Sequence, residues 1–213
     1  MSLRIQLRGT GVAIITPFKN GQIDYSALEN LIEFLIKKKV EYIVTLGTTG
    51  ETPTLSTKEK KEIVTFTQKK INNRIPLVVG VGGNNTTETI KALNDFNLDQ
   101  VTAVLSASPY YNRPSQEGIY QHYKALAEAS PKPIILYNVP TRTGSNISAD
   151  TTIRMANDCK NIGGIKEASG NMVQCMHILQ HKPEEFLVVS GDDHIAMPLI
   201  ACGMDGVISV AAN

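Results

Sequence analysis

The chain has almost no excess of charge of either sign. Its 213 residues carry 21 basic and 20 acidic side chains, a net charge of +1. That balance leaves no electrostatic footprint for a nucleic acid and no polybasic patch for an anionic membrane. Lysines do cluster, at Lys37 to Lys39, Lys58 to Lys61 and Lys69 to Lys70. They read as helix ends and solvated faces, and positive charge suits the last turn of a helix. Cysteine is scarce. Cys159, Cys175 and Cys202 are odd in number, widely spaced and form no CxxC pair. A disulfide framework is therefore not expected; reduced, mostly buried thiols suit a cytoplasmic protein. No apolar run approaches the ~20 residues a membrane span needs. The opening "MSLRIQLRGTG" has no long apolar core, so it does not read as a signal peptide. Nor is there a GxGxxG: "GVGGNN" at 80–85 lacks the third glycine and reads as turn glycines.

What is present is a strict alternation. Eight short Val/Ile/Leu-rich segments recur, at 11–17, 41–47, 76–82, 101–109, 133–140, 162–168, 186–193 and 206–212. They do not alternate with polar residues, as expected of parallel strands covered on both faces. Amphipathic helices lie between them. After Asp24, a candidate N-cap, Leu28, Leu31, Ile32, Leu35 and Ile36 share one helical face. "STKE" at 56–59 has the form of a capping box. Further helices are expected over 86–96, 115–129, 148–158, 171–181 and 194–202. Alternating strands and helices build either an open doubly wound sheet or a closed barrel. The count of eight favours an α/β chain folded as a (β/α)8 TIM barrel. No linker or composition break divides residues 1–213, so they read as one barrel. The chain stops at Asn213, directly after the eighth apolar segment. The expectation is a barrel truncated after strand 8, with its eighth helix in a longer chain or its place covered by a partner.

In such a barrel, catalytic groups gather where the strands end at their C-terminal side. The unusual residues obey that rule. Strand 2 ends in "GTTGE" with Thr48 and Thr49, strand 4 in "SPYYNRP" with Tyr110 and Tyr111, and strand 5 in "YNVPTRTG" with Tyr137 and Arg142. Strand 6 ends in Lys166 and strand 7 in "SGDD". Taken singly, each has a plain structural explanation; their convergence on one face points to chemistry. A free lysine amine, with a pKa of about 10.4, is neutral in only about one molecule in 2,500 at pH 7. Burial lowers that pKa and makes the amine a nucleophile for Schiff-base formation with a carbonyl. Tyr137, Thr48 and Tyr111 are suited to relay the protons this requires. Hydroxyls and backbone N–H groups around Thr48–Thr49 could hold the carboxylate of a keto acid, and Arg142 offers a bidentate fork for a second one. Asp192 and Asp193 would repel a phosphate. They could bind a divalent metal, but no histidine cluster joins them, and His177 and His181, spaced i, i+4, read as a helix-surface pair. No metal and no cofactor are expected.

"GTTGE", "SPYYNRPSQEG", "YNVPTRTG", "GIKEASG" and "SGDD", in this order and spacing, resemble the dihydrodipicolinate synthase / N-acetylneuraminate lyase family over essentially the whole chain. The synthase branch is the closer. The resemblance implies a lyase that condenses pyruvate with aspartate semialdehyde in lysine and diaminopimelate biosynthesis. It implies that Lys166 forms the imine and that Tyr137, Thr48 and Tyr111 relay protons, with Tyr111 reaching in from a neighbouring subunit. It further implies that Thr49 and Arg142 hold the two carboxylates, and that Gly191 and Ile208 line the lysine pocket. A homotetramer built from tight dimers is implied, as are a last barrel helix and a small helical domain beyond strand 8. Asn84, Glu88 and Tyr110 match a lysine-effector site, whereas Thr57 and Lys60 stand where lysine-sensitive members carry histidines. That departure implies weak or absent lysine inhibition. The competing expectations are a sugar-acid lyase of the same family, which would carry serine at Thr48 and no arginine at Arg142, and a keto-acid-binding barrel without catalysis.

Overall fold

The computed structural model describes residues 2–213. Eight parallel strands run β1 (Gly9–Ala13), β2 (Tyr42–Thr45), β3 (Leu77–Gly80), β4 (Ala103–Ala107), β5 (Ile134–Asn138), β6 (Ile162–Glu167), β7 (Leu187–Ser190) and β8 (Gly206–Ser209). Each pairs with its neighbour in sequence, and β1 pairs with both β2 and β8, so the sheet closes. This is the expected (β/α)8 barrel. Seven helices of six residues or more lie between the strands: α1 (Tyr25–Lys37), α2 (Thr57–Ile71), α3 (Thr86–Asp95), α4 (Gln116–Ala129), α5 (Ala149–Asp158), α6 (Met172–His181) and α7 (Ala196–Ala201). No helix among the described residues is long and apolar enough to cross a membrane.

The apolar strand segments do not alternate because both of their faces are covered. On β2, Ile43 packs outward under the helices, while Tyr42 and Val44 point into the barrel. On β5, Ile134 and Leu136 face out and Ile135 and Tyr137 face in. Two cores result, one filling the barrel and one between strands and helices. Each fully buried Val, Leu or Ile side chain in them contributes about 1.5–3 kcal/mol. The helix starts follow the local chemistry. The Asp24 carboxylate accepts from the Ala27 amide at 2.9 Å, and Ser56 with Glu59 forms the complete reciprocal capping box of α2.

Four local features depart from the sequence-based expectation. The first strand starts two residues earlier and ends at Ala13 rather than running to Pro17. Proline has no N–H to extend a ladder, and the Thr16 hydroxyl donates instead to the Gly50 carbonyl at 2.7 Å. A two-stranded hairpin, Phe18–Lys19 with Gln22–Ile23, follows. The last helical stretch opens as a 3-10 turn, Asp193–Ile195, before α7. At the barrel floor a short helix, Leu3–Gln6, was not foreseen. It is tied down by an Arg4–Asp205 ion pair at 2.7 Å, and Leu7 just after it is wholly buried.

Candidate active site

Lys166 lies one residue from the C-terminal end of β6, directly opposite Tyr137 on β5. It is only 3% exposed. Its ammonium nitrogen sits 4.5 Å from the centre of the Tyr137 ring. Burial pulls the Lys166 pKa down to about 8; Asp193 and Asp192 oppose that shift, and Arg142 adds to it. At pH 7 about one amine in ten is then neutral, against about one in 2,500 for a free lysine. Lys166 therefore stands near the strand end without being solvated. The lysine is dry.

Gly191, just past β7, leaves room for this side chain. A Cβ there would stand 2.9 Å from Lys166 Cε and 2.6 Å from Ala168 Cβ, closer than real Cβ contacts allow. Ile208 on β8 is fully buried in the barrel core that also contains Tyr137 and Ala168. Tyr137 is itself buried, and burial raises its pKa. A hydrogen bond from Thr48 and the charge of Arg142 work against the rise, and Asp192 adds to it. The phenol is thus protonated at neutral pH with the Thr48 hydroxyl in contact. Thr48 and Thr49 begin a 3-10 turn, Thr48–Gly50, which follows β2 after Leu46 and Gly47. Amides at the start of such a turn have no acceptor within it. Arg142 stands on the short helix Pro140–Thr143 after β5. It is exposed and has no carboxylate partner among the described residues.

Asp193 anchors the far side. Burial would push its carboxyl up, but hydrogen bonds from Ser209 and from the Val210 and Ala211 amides, together with the Lys166 charge, outweigh burial and hold it below the usual range. A cavity of about 200 Å³ opens beside Tyr137 and Thr48 and is also bordered by Tyr110 and Lys60.

Lys166, Tyr137, Thr48, Arg142 and Gly191 therefore share one mouth, as the strand-end reading expected. Tyr111 does not join them within this chain. It is 91% exposed and adopts a left-handed backbone, φ 71°, which a bulky residue rarely takes up without constraint. Its neighbour Tyr110 is held by the Asn84 side chain, which donates to the Tyr110 carbonyl at 3.2 Å. Glu88 lies exposed in the first turn of α3, and Thr57 opens α2. His177 and His181 do lie on the surface of α6, their rings 4.6 Å apart. Among the described residues no group of three or more His, Cys, Asp or Glu side chains could hold a metal ion. Sequence reasoning missed Asn138 and Glu167, a buried polar pair on the back of the same two strands. The signal was there, since both are polar residues inside segments otherwise apolar on both faces.

The family model described as the dihydrodipicolinate synthetase family matches residues 6–213. The chain belongs to the dihydrodipicolinate synthetase family. A 4-hydroxy-tetrahydrodipicolinate synthase of Azobacteroides pseudotrichonymphae is 53% identical over 211 residues, 99% of this chain and 71% of that protein. The dihydrodipicolinate synthase of Aquifex aeolicus, a crystal structure, is 43% identical with a TM-score of 0.92, over 96% of this chain and 70% of that one. A chloride-inhibited dihydrodipicolinate synthase of Acinetobacter baumannii, solved with pyruvate, is also 43% identical, with a TM-score of 0.93 over 97% of this chain and 71% of that one. The strand-end residues described above thus belong to a dihydrodipicolinate synthetase-family barrel.

Proposed function

We propose that this chain carries the activity of a 4-hydroxy-tetrahydrodipicolinate synthase, condensing pyruvate with L-aspartate 4-semialdehyde through a Schiff base on Lys166. The observation that carries the reading is the dry Lys166 amine, its pKa near 8, facing Tyr137 at the C-terminal end of a parallel barrel. The neutral amine attacks the keto carbon of pyruvate. Two proton transfers and loss of water leave an imine, and Tyr137 with Thr48 moves those protons. Loss of a methyl proton converts the imine to an enamine, whose carbon attacks the aldehyde. The substrate amine then adds to the imine carbon, closes the ring and expels Lys166.

Thr49 and the amides of its turn hold the pyruvate carboxylate in this reading. Arg142, unpaired at the mouth, takes the carboxylate of the aldehyde substrate. An arginine there suits a short acidic electrophile better than the polyhydroxylated chain of a sugar acid. The exposure and backbone strain of Tyr111 fit a residue that completes the relay in a neighbouring copy, within a homotetramer built from tight dimers. Gly191 and Ile208 shape the lysine pocket. Asn84, Glu88 and Tyr110 would contribute to an effector site for lysine. Lys60, on the same cavity as Tyr110, would repel the effector's ammonium, so lysine inhibition is weak or absent. The absence of a spanning helix is in keeping with a cytoplasmic enzyme.

The test is borohydride reduction in the presence of pyruvate, followed by peptide mass analysis. The expected result is one reduced pyruvate adduct, on Lys166, and none in Lys166→Ala. An adduct elsewhere, or none on folded protein, overturns the reading. Ring formation on adding aspartate semialdehyde identifies the electrophile.

A further inference from the structure

Strand alternation has a period of two, so a one-residue slip turns every side chain to the opposite face. β6 contains such a slip. It pairs Ile134 with Ile162 but Ile135 with Gly164, leaving Gly163 as an extra, bulged residue. Ile162 and Ile165, three residues apart, both face the outer core. Unbroken alternation from Ile162 would put Lys166 under the helices and Glu167 inside the barrel. The bulge reverses this. Gly163 also lets the floor helix close in, since a Cβ there would lie 2.6 Å from Leu3 Cδ2.

A bulge permits the inward phase of Lys166 but does not by itself enforce it. Behind the site, the Glu167 carboxylate is 1% exposed and no cation pairs with it among the described residues. It accepts four hydrogen bonds from three donor groups. Asn138 Nδ2 donates to both oxygens at 3.1 and 3.0 Å. The Ser169 amide donates at 2.7 Å and Gln174 Nε2 at 3.0 Å. Asn138 is wholly buried and accepts from the Ile147 amide at 2.9 Å. Asn138 and Glu167 are register partners one step beyond Tyr137 and Lys166. A buried carboxylate surrounded only by donors is costly to move, because any other position strands those donors.

We propose that Glu167 is a positioning residue: with Asn138 and Gln174 it locks β6 in the post-bulge register that turns Lys166 into the barrel against Tyr137. The inference rests on Lys166 as the imine-forming amine. Glu167→Gln keeps the shape of the side chain but sets an amide donor among donors. In this variant the second-order rate of borohydride-trappable imine formation with pyruvate, per folded molecule, is expected to fall at least tenfold, with the pH midpoint of trapping unchanged. Wild-type protein that traps no pyruvate on Lys166 overturns the catalytic reading itself. Wild-type trapping with an equal rate in folded Glu167→Gln overturns only the register lock. So does a midpoint shift large enough to explain the whole loss, since Glu167 would then act through its charge. If Glu167→Gln does not fold, Gln174→Leu decides, because it removes one donor at a half-buried position. A threefold or greater loss at unchanged midpoint supports the lock, and an unchanged rate overturns it.

Discussion

A lysine held at 3% exposure is an expense to the fold. Its pKa is about 8 in the native chain, against 10.5 for an ordinary lysine. Between those values the unfolded chain binds more protons than the folded one, so stability rises with pH across that window. Below pH 8 both states are protonated and the folded state bears the full cost, of order 3 kcal/mol. Lys166→Met is therefore expected to be inactive yet more stable than wild type at pH 7, by about 1–3 kcal/mol. The gain should shrink towards zero as pH rises past 10. Urea titrations at pH 7 and pH 10 check this, and a variant less stable at pH 7 would contradict it. This is the trade between activity and stability expected where a site is built on a desolvated charge. The same pKa gives pyruvate trapping an acid limb centred near pH 8.

At the scale of elements, helix starts and strand ends do different work. The helices begin on caps that any sequence reader can find, and they hold the strands in place without touching the chemistry. Asp24 is such a cap, accepting from Ala27. Asp24→Ala is expected to cost about 1 kcal/mol, which in a chain of this size lowers Tm by about 2–4 °C. Pyruvate trapping per folded molecule should not change. Calorimetry alongside trapping separates the two effects. The strand ends, by contrast, hold their functional residues by register. Tyr137 meets Lys166 because β5 and β6 are paired beyond a bulge, and a bulge leaves no periodicity in composition to read. A run such as "IGGIKE" is consistent with either phase, so the direction of Lys166 was not legible. Glu167 is visible as a polar residue in an apolar run, but its role is not, because two of its three donors, Asn138 and Gln174, come from other elements.

For the molecule as a whole, closure of the barrel joins residues far apart in the chain. β1 is flanked by β2 and β8, and the Asn213 side chain donates to the Ala13 carbonyl at 2.9 Å. The helical ring carries one buried histidine, His122 on α4. Its Nδ1 lies 2.8 Å from the Thr86 hydroxyl at the start of α3, and its Nε2 has no partner. Burial pulls its pKa down to about 4 from 6.5. The stability it contributes is complete above pH 6.5 and is lost as pH falls towards 4, because the unfolded chain takes up the proton first. That amounts to about 2–3 kcal/mol. His122→Gln should flatten the loss of stability between pH 6.5 and pH 4. Denaturant midpoints across that range test it, and an unaltered slope would count against the assignment.

The sequence by itself determined the number and order of strands and helices, the closed-barrel class, the helix caps and the set of strand-end residues. These depend on local propensity and on periodicities along the chain, which a linear reading samples directly. The tertiary structure alone decided which way each strand end faces, how dry Lys166 is, and that Tyr111 stands exposed to solvent rather than buried beside Tyr137. Those properties depend on register between strands, on the water excluded by neighbours distant in sequence, and on hydrogen bonds such as Gln174 to Glu167 that form only once the ring has closed.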